Sequence, residues 1–258
     1  MRVTILGCGA AQGMPVWGLE WGKGWGACDP LNSKNRRTRA SIFIESDGTS
    51  LLVDTSPDLK DQGFNNNITN IDAVLFTHAH ADHCHGINDL QFLARAWERL
   101  IPVYASHKTI EVLKDRFNYA FQTPQSAAPH HGAFLIPHQI TESFKVKNVT
   151  VIPFEQDHGF EISLGFRVKD FAYSTDVVQL NDKAFEVLKD VDTWVVDCLR
   201  YESNLTHAHL PLVLEWIERV GPRRAILTHL NFEMDYEELS KKLPSHVEVA
   251  YDGMVLEI

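Results

Sequence analysis

The segment His78-Ala79-His80-Ala81-Asp82-His83 constrains this chain more than any other. It lies directly behind an apolar β-type run ending at Thr77. In a tight turn leaving a strand, His78 and His80 can point the same way and hold one metal ion. Asp82 and His83 then face a second position nearby. Imidazole nitrogens suit zinc, and carboxylate oxygens admit harder ions such as manganese. A polar turn of merely solvated histidines is the bland alternative, and the adjoining buried strand end argues against it. One turn cannot supply a full ligand set, so the fold must bring further donors to it. The sequence offers three, each behind a β-type run: His158, Asp176 and His229. Taken singly, each reads as a solvated or capping residue. Beside the first motif, they read as ligands.

Such a site needs several strand ends. Runs rich in Val, Ile, Phe and Thr recur at residues 3–6, 41–45, 73–77, 103–105, 149–154, 171–174, 193–196, 225–228 and 247–250. Helical spacing appears between some of them. It is marked by Leu90, Leu93, Ala94 and Trp97, by Ile110, Leu113 and Phe117, and by Phe185 and Leu188. Leu210, Val213, Leu214 and Ile217 mark a fourth helix, and Leu239 and Leu243 a fifth. Strands come early and then alternate with helices, which predicts a layered α/β protein. No Pro/Gly/Ser linker divides the chain, so one domain over residues 1–258 is expected. Val74-Leu75-Phe76-Thr77-His78 is echoed by Ala225-Ile226-Leu227-Thr228-His229, which puts a histidine at two strand ends. The carboxyl ends of strands are where α/β sheets place their sites. Residues 13–39 and 122–138 read as long loops, and loops of this length inside a compact domain are often lids. Trp17, Trp21 and Trp25 in the first loop are expected to pack as a small hydrophobic cap.

Composition narrows the class. The 258 residues carry 34 Asp and Glu against 24 Lys and Arg, a formal net charge of −10. A dedicated nucleic-acid binder would show a basic surplus or stripe. A small anionic substrate remains compatible, because bound metal inverts the local field. The four cysteines, Cys8, Cys28, Cys84 and Cys198, are scattered and form no Cys-x-x-Cys pair. Free thiols in a reducing cytoplasm are expected. No apolar run approaches the ~18 residues of a membrane span, and Cys8 lies too near the N-terminus for a lipoprotein signal.

The motif His-x-His-x-Asp-His, followed in order by a single His, Asp and His, resembles the metallo-β-lactamase superfamily across nearly the whole chain. Finer pieces resemble its PhnP-type phosphodiesterase branch. These are residues 6–15, residues 35–41, Val53-Asp54-Thr55-Ser56-Pro57, Gly86, Tyr173-Ser174-Thr175-Asp176 and Tyr251-Asp252-Gly253-Met254. The resemblance implies an αββα sandwich, with two mixed β-sheets packed between helices. It implies two divalent metal ions, zinc or manganese. His78, His80 and His158 would hold the first, and Asp82, His83 and His229 the second. Asp176 would bridge them, with a nucleophilic hydroxide bridging opposite. Asp54 matches an aspartate that steadies the histidine-bearing loop. His207 matches the branch's general acid, with His209 as its rival. Such a cluster keeps a small positive charge, which suits a phosphodiester monoanion.

Ser174 and Thr175 offer hydroxyls to a bound phosphate beside Asp176. Phe117, Tyr119 and Phe121 read as a helix face in the core rather than as groups that stack on a base. Some relatives carry a Cys-rich zinc knuckle where this chain has only Cys28, so no separate structural zinc is expected. The leading expectation is a dinuclear metal-dependent phosphodiesterase acting on small cyclic or nucleotide-like phosphodiesters, with Asp82 and His207 catalytic. The alternatives are a lactonase or thioesterase, a tRNA 3′-processing endonuclease, and a non-catalytic metal-binding carrier. A small phosphodiester is the expected partner, with no membrane and no dedicated nucleic acid. A homodimer is compatible with a sequence that is silent on oligomeric state.

Overall fold

The computed structural model describes residues 1–18, 24–122 and 132–258. One sheet holds β1 (Arg2–Gly7), β2 (Ser41–Ser46), β3 (Thr49–Val53), β4 (Ala73–Leu75), β5 (Ile101–Ala105), β6 (Leu135–Gln139) and β14 (Val255–Glu257). Its order is β14-β1-β2-β3-β4-β5-β6. The other holds β7 (Phe144–Val146), β8 (Val149–Asp157), β9 (Ile162–Val168), β10 (Phe171–Ser174), β11 (Thr193–Asp197), β12 (Arg224–Thr228) and β13 (Val247–Val249). Its order is β13-β12-β11-β10-β9-β8-β7. In each sheet one side is antiparallel and the other parallel. Strands β3 to β6 run parallel, as do β10 to β13. Strand β8 runs with β10, since both oppose β9.

Side chains on a strand alternate between its faces, and here both faces are buried. In β2, Ile42 and Ile44 enter the layer between the sheets, while Phe43 faces outward. In the second sheet Phe171, Tyr173, Val195 and Ile226 face inward, while Ala172, Trp194, Ala225 and Leu227 face outward. Each Val, Leu, Ile or Phe side chain among them contributes roughly 1.5–3 kcal/mol when fully buried. Helices cover the outward faces. The first sheet packs under α1 (Leu59–Asn65), α2 (Ala81–Cys84), α3 (Leu90–Ala96), α4 (His107–Arg116) and α5 (Asn118–Phe121). The second packs under α6 (Asp182–Leu188), α7 (Leu210–Val220) and α8 (Tyr236–Ser240). Helix α7 buries Leu210, Val213, Trp216 and Ile217, and it ends at Gly221, whose φ of 66° is left-handed. The layers are those of an αββα sandwich.

Several expectations change. Strand β6 takes up the end of the 122–138 loop; residues 123–131 lie outside the described residues. The end of the 13–39 segment, read as a long and lid-like loop, is tied down. The Arg37 guanidinium is buried and donates to the carbonyls of Asn231 (3.2 Å) and Met234 (2.6 Å). Arg39 pairs with Asp58 at 3.0 Å, and Arg36 lies over the Trp25 ring. The tryptophan cap does not form through Trp17, which is 98% exposed, and Trp21 lies outside the described residues. Phe117 and Phe121 pack, partly buried, on the helical layer of the first sheet, but Tyr119 is exposed, so the three do not form one core face. Cys8, Cys28, Cys84 and Cys198 are free and buried, and the Cys84 thiol donates to the Ala79 carbonyl. Among the described residues, no helix is long and apolar enough to cross a membrane.

Candidate metal centre

The carboxyl ends of β3, β4, β8, β10, β11 and β12 are followed or closed by Asp54, His78, His158, Asp176, Asp197 and His229 respectively. Three of these residues leave their strands in the left-handed region, with φ of 63° at Asp54, 54° at Asp176 and 58° at His229. Asp and His tolerate that region better than most residues, and such outliers concentrate at functional sites. His80 sits at the N-terminal end of α2, which carries Asp82 and His83.

Two groups of donors converge here, beside a third formed by Asp197, His207 and His229. His78, His80, His158 and Asp176 have donor atoms within 4.8 Å of one another, and so do Asp82, His83, Asp176 and His229. Asp176 belongs to both groups. Its Oδ1 lies 3.8 Å from His78 Nε2 and 3.6 Å from His158 Nε2. Its Oδ2 lies 3.0 Å from His83 Nε2 and 3.5 Å from His229 Nε2. One carboxylate thus presents one oxygen to each group.

The donors fit metal ions. Among the described residues, Nε2 of His78 and of His229 is buried without a hydrogen-bond partner. Leaving such groups unpaired costs about 1–3 kcal/mol each, and a shared cation removes that cost. Five imidazoles and two carboxylates are too many for one tetrahedral ion and suit two divalent ions. The far sides of the rings are held in place. His83 Nδ1 lies 2.7 Å from Asp54 Oδ2, and Asp54 also accepts from the Thr77 amide and hydroxyl, both at 2.8 Å. His158 Nδ1 lies 2.7 Å from the Thr206 carbonyl.

Charge follows from this packing. Burial opposes ionisation of Asp176, but His229, His83 and His78 hold its carboxyl well below the usual range. Burial likewise opposes Asp82, and His83 and His229 hold it low. Burial, reinforced by His83, pushes His78 well down, so it stands neutral and ready to ligate. His83 goes the other way. Burial disfavours its charge, but Asp176, Asp82 and Asp54 outweigh burial and push it well up. Without metal, His83 carries a proton that a metal must displace.

His207 joins the same edge from the loop before α7. Its Nε2 is 3.8 Å from Asp176 Oδ1, and its Nδ1 is 2.9 Å from Asp197 Oδ2. Burial lowers its basicity, but Asp197 and Asp176 outweigh burial and raise it to about 9. His209 precedes α7, and its backbone pairs with Arg200. The cleft is lined by His207 but not by His209, and also by Ala11, Phe160, Glu161 and Thr206. Asp197 was not foreseen. It closes the run predicted at 193–196, and the strand-end rule that found Asp176 could have found it.

Ser174 and Thr175 are not free phosphate donors. The Ser174 hydroxyl is fully buried and accepts from the Trp194 indole N–H at 3.0 Å. Strand alternation places it on the outward face with Ala172. The Thr175 hydroxyl donates to Asp176 Oδ2 at 2.7 Å, so it steadies the shared carboxylate.

Known proteins share this fold. Residues 49–230 match the family model of the beta-lactamase superfamily domain. A solved diphosphatase of the PhnP family is 30% identical and superposes with a TM-score of 0.88, over 100% of this chain and 97% of that one. An octanoyltransferase of Porphyromonas gingivalis is 30% identical over 262 residues, which cover 98% of this chain and 51% of that protein. This chain spans about half the length of the curated relatives it matches. Zinc-bound PqqB of Methylobacterium extorquens shares the fold, with a TM-score of 0.73 at 18% identity over 100% of both chains. With its layers, strand-end ligands and full-length likeness, the chain belongs to the metallo-β-lactamase superfamily and to its PhnP-like branch.

Proposed function

We propose that the protein is a dinuclear metal-dependent phosphodiesterase for small cyclic or nucleotide-like phosphodiesters. The observation that carries this reading is Asp176, which faces both histidine groups and His207 together. His78, His80 and His158 would hold one ion, and Asp82, His83 and His229 the other, with Asp176 shared. Zinc and manganese both suit this donor set. When bound, such a pair of ions polarises a phosphoryl oxygen and activates water at neutral pH.

The protein's own groups supply the rest. Asp82 reaches His83 Nε2 at 3.1 Å and His229 Nε2 at 3.6 Å, which fixes these donors around one position. His207 donates from Nδ1 to Asp197, leaving Nε2 to deliver a proton to the departing oxygen. Asp197 and Asp176 keep this imidazole cationic above neutrality. With two dications bound, this imidazole would lose its proton more readily, nearer neutral pH, where a general acid works best. Likeness to a PhnP-family diphosphatase supports phosphate ester chemistry. We place it in the cytoplasm, a reading with which its scattered free thiols are compatible.

A thioesterase or lactonase is the second reading, favoured by likeness to an octanoyltransferase. Turnover of a 2′,3′-cyclic nucleotide and of bis-p-nitrophenyl phosphate, against a lactone and an acyl thioester with added zinc or manganese, separates the two. Phosphodiester turnover is expected. Turnover of the thioester alone would overturn the proposal. His207→Ala should lose about 10²–10⁴-fold on the cyclic nucleotide, or ~3–5 kcal/mol in the barrier, and far less on the aryl ester. Equal losses on both, with metal retained, would make His207 a positioning group instead.

A further inference from the structure

We propose that Glu161 positions the ligand His80 and thereby sets the affinity of the first metal position. This rests on the dinuclear reading of the site. His158 Nδ1 lies 2.7 Å from the Thr206 carbonyl, which can only accept. The neutral ring therefore carries its proton on Nδ1 and its lone pair on Nε2. That lone pair lies 3.3 Å from His80 Nδ1. Glu161 Oε1 lies 2.6 Å from His80 Nε2, so the carboxylate draws the His80 proton to Nε2 and leaves a lone pair on Nδ1. Two lone pairs then face one another, and a cation between them turns their repulsion into ligation. Without Glu161, His80 is free to carry its proton on Nδ1 and donate to His158. That hydrogen bond would consume both ligands.

The surroundings explain why His80 needs an external hold. Its side chain is 49% exposed, whereas those of His78, His83, His158 and His229 are at most 2% exposed. Packing fixes those four rings, and it leaves His80 freer to turn. His158 and Glu161 sit on the same turn between β8 and β9, closed by the His158 amide donating to the Glu161 carbonyl at 2.9 Å. One turn thus delivers one ligand and grips another. Gly159 makes the turn: its φ is 82°, and a Cβ there would stand 2.6 Å from the Leu205 carbonyl oxygen. Lys108 Nζ is 3.7 Å from Glu161 Oε2 but is 68% exposed, and such surface pairs contribute little. The 2.6 Å contact with His80 is the closer of the two.

The test compares the full chain with Glu161→Ala and Glu161→Gln, by zinc titration against a chelator and by thermal melting of the metal-free proteins. Glu161→Ala should weaken one of two ions by roughly 10–100-fold, leave the other unchanged and leave the metal-free melting temperature unchanged. Glu161→Gln should retain most of the affinity, because its amide oxygen can stand against His80 Nε2 in the same place. Unchanged affinity for both ions in Glu161→Ala would overturn the proposal. Equal weakening of both ions, or a lower metal-free melting temperature, would also overturn it and make Glu161 a structural part of the turn. A native chain that binds fewer than two ions would instead sink the dinuclear reading.

Discussion

Asp54 shows how little freedom a single side chain has at this centre. Its two oxygens accept from the Thr77 amide, the Thr77 hydroxyl and His83 Nδ1. An amide at this position keeps one oxygen, so one of these donors must face an NH2 group. Asn also tolerates the φ of 63°, so backbone strain does not enter the comparison. Asp54→Asn should weaken the ion held by His83 by roughly 10–100-fold. It should also cost about 1–3 kcal/mol of stability for the unsatisfied donor. Metal titration and urea unfolding of the variant check both, and native affinity would show that His83 needs no such hold. At this scale the sequence was legible where chemistry is local. His78, His80, Asp82 and His83 share one turn, and His158, Asp176 and His229 each follow a β-type run. Glu161 was not legible, because its partner His80 lies on another element and no spacing links them. Ser174 was misjudged because its type was weighed before its parity on the strand. Tyr173 faces inward, so Ser174 faces Trp194.

Among elements, most apolar runs were found, but the buried run of β3, with Leu51, Leu52 and Val53, was missed along with the weaker ones. Strands β7 and β14 have three residues each and sit at sheet edges. Strand β6 contains Pro137, and β9 contains Gly165, both of which weaken a strand signal. Gly165 is required there, because a Cβ would stand 2.3 Å from the Phe154 ring. The echo of Val74–His78 in Ala225–His229 is not a repeat of the fold. Counted from the antiparallel side of each sheet, the counterpart of β4 is β11, whose end carries Asp197, and not β12. The turn before β14 shows what ties elements together. Asp252 accepts from the Cys8 amide at 3.1 Å and from the Thr38 amide and hydroxyl, both at 2.7 Å. It thereby links the exit of β1, the approach to β2 and the turn itself. Burial outweighs these donors and raises Asp252 from 3.8 to about 6. For a raised acid, the stability it contributes is full below the ordinary value and is lost as pH rises through about 6. Thr38→Val removes a hydrogen bond that is strongest to the carboxylate. It should cost about 1.5–3 kcal/mol at pH 7 and lower the melting temperature by a few degrees. The cost should shrink below about pH 6, where Asp252 holds its proton. An equal cost at pH 4 and pH 7 would count against a charged partner.

The molecule as a whole carries a formal charge of −10, and at one edge Asp54, Asp82, Asp176 and Asp197 lie buried within reach of histidines. The layered architecture could be anticipated because both faces of each sheet are buried, which leaves unbroken apolar runs in the sequence. How the buried carboxylates are balanced depends on distances between strands and could not be anticipated. Without metal, His83 and His207 supply part of the balance as cations. Both are raised bases, so the stability they contribute is full below the ordinary imidazole value of 6.5. It is lost as pH rises, for His207 through about 9. For His207 alone this is at most roughly 3 kcal/mol. Metal must displace the His83 proton in order to bind, so loading should release at least one proton per chain near neutral pH, and affinity should rise with pH. The metal-free melting temperature should fall between pH 7 and pH 9. Each ion present at about a thousand times its Kd should add ~4 kcal/mol, so the gap between loaded and metal-free protein should widen over the same range. Titration calorimetry at pH 7 in buffers of different ionisation enthalpy reads the proton directly. A binding heat that is the same in every buffer would mean that His83 is already neutral before metal arrives.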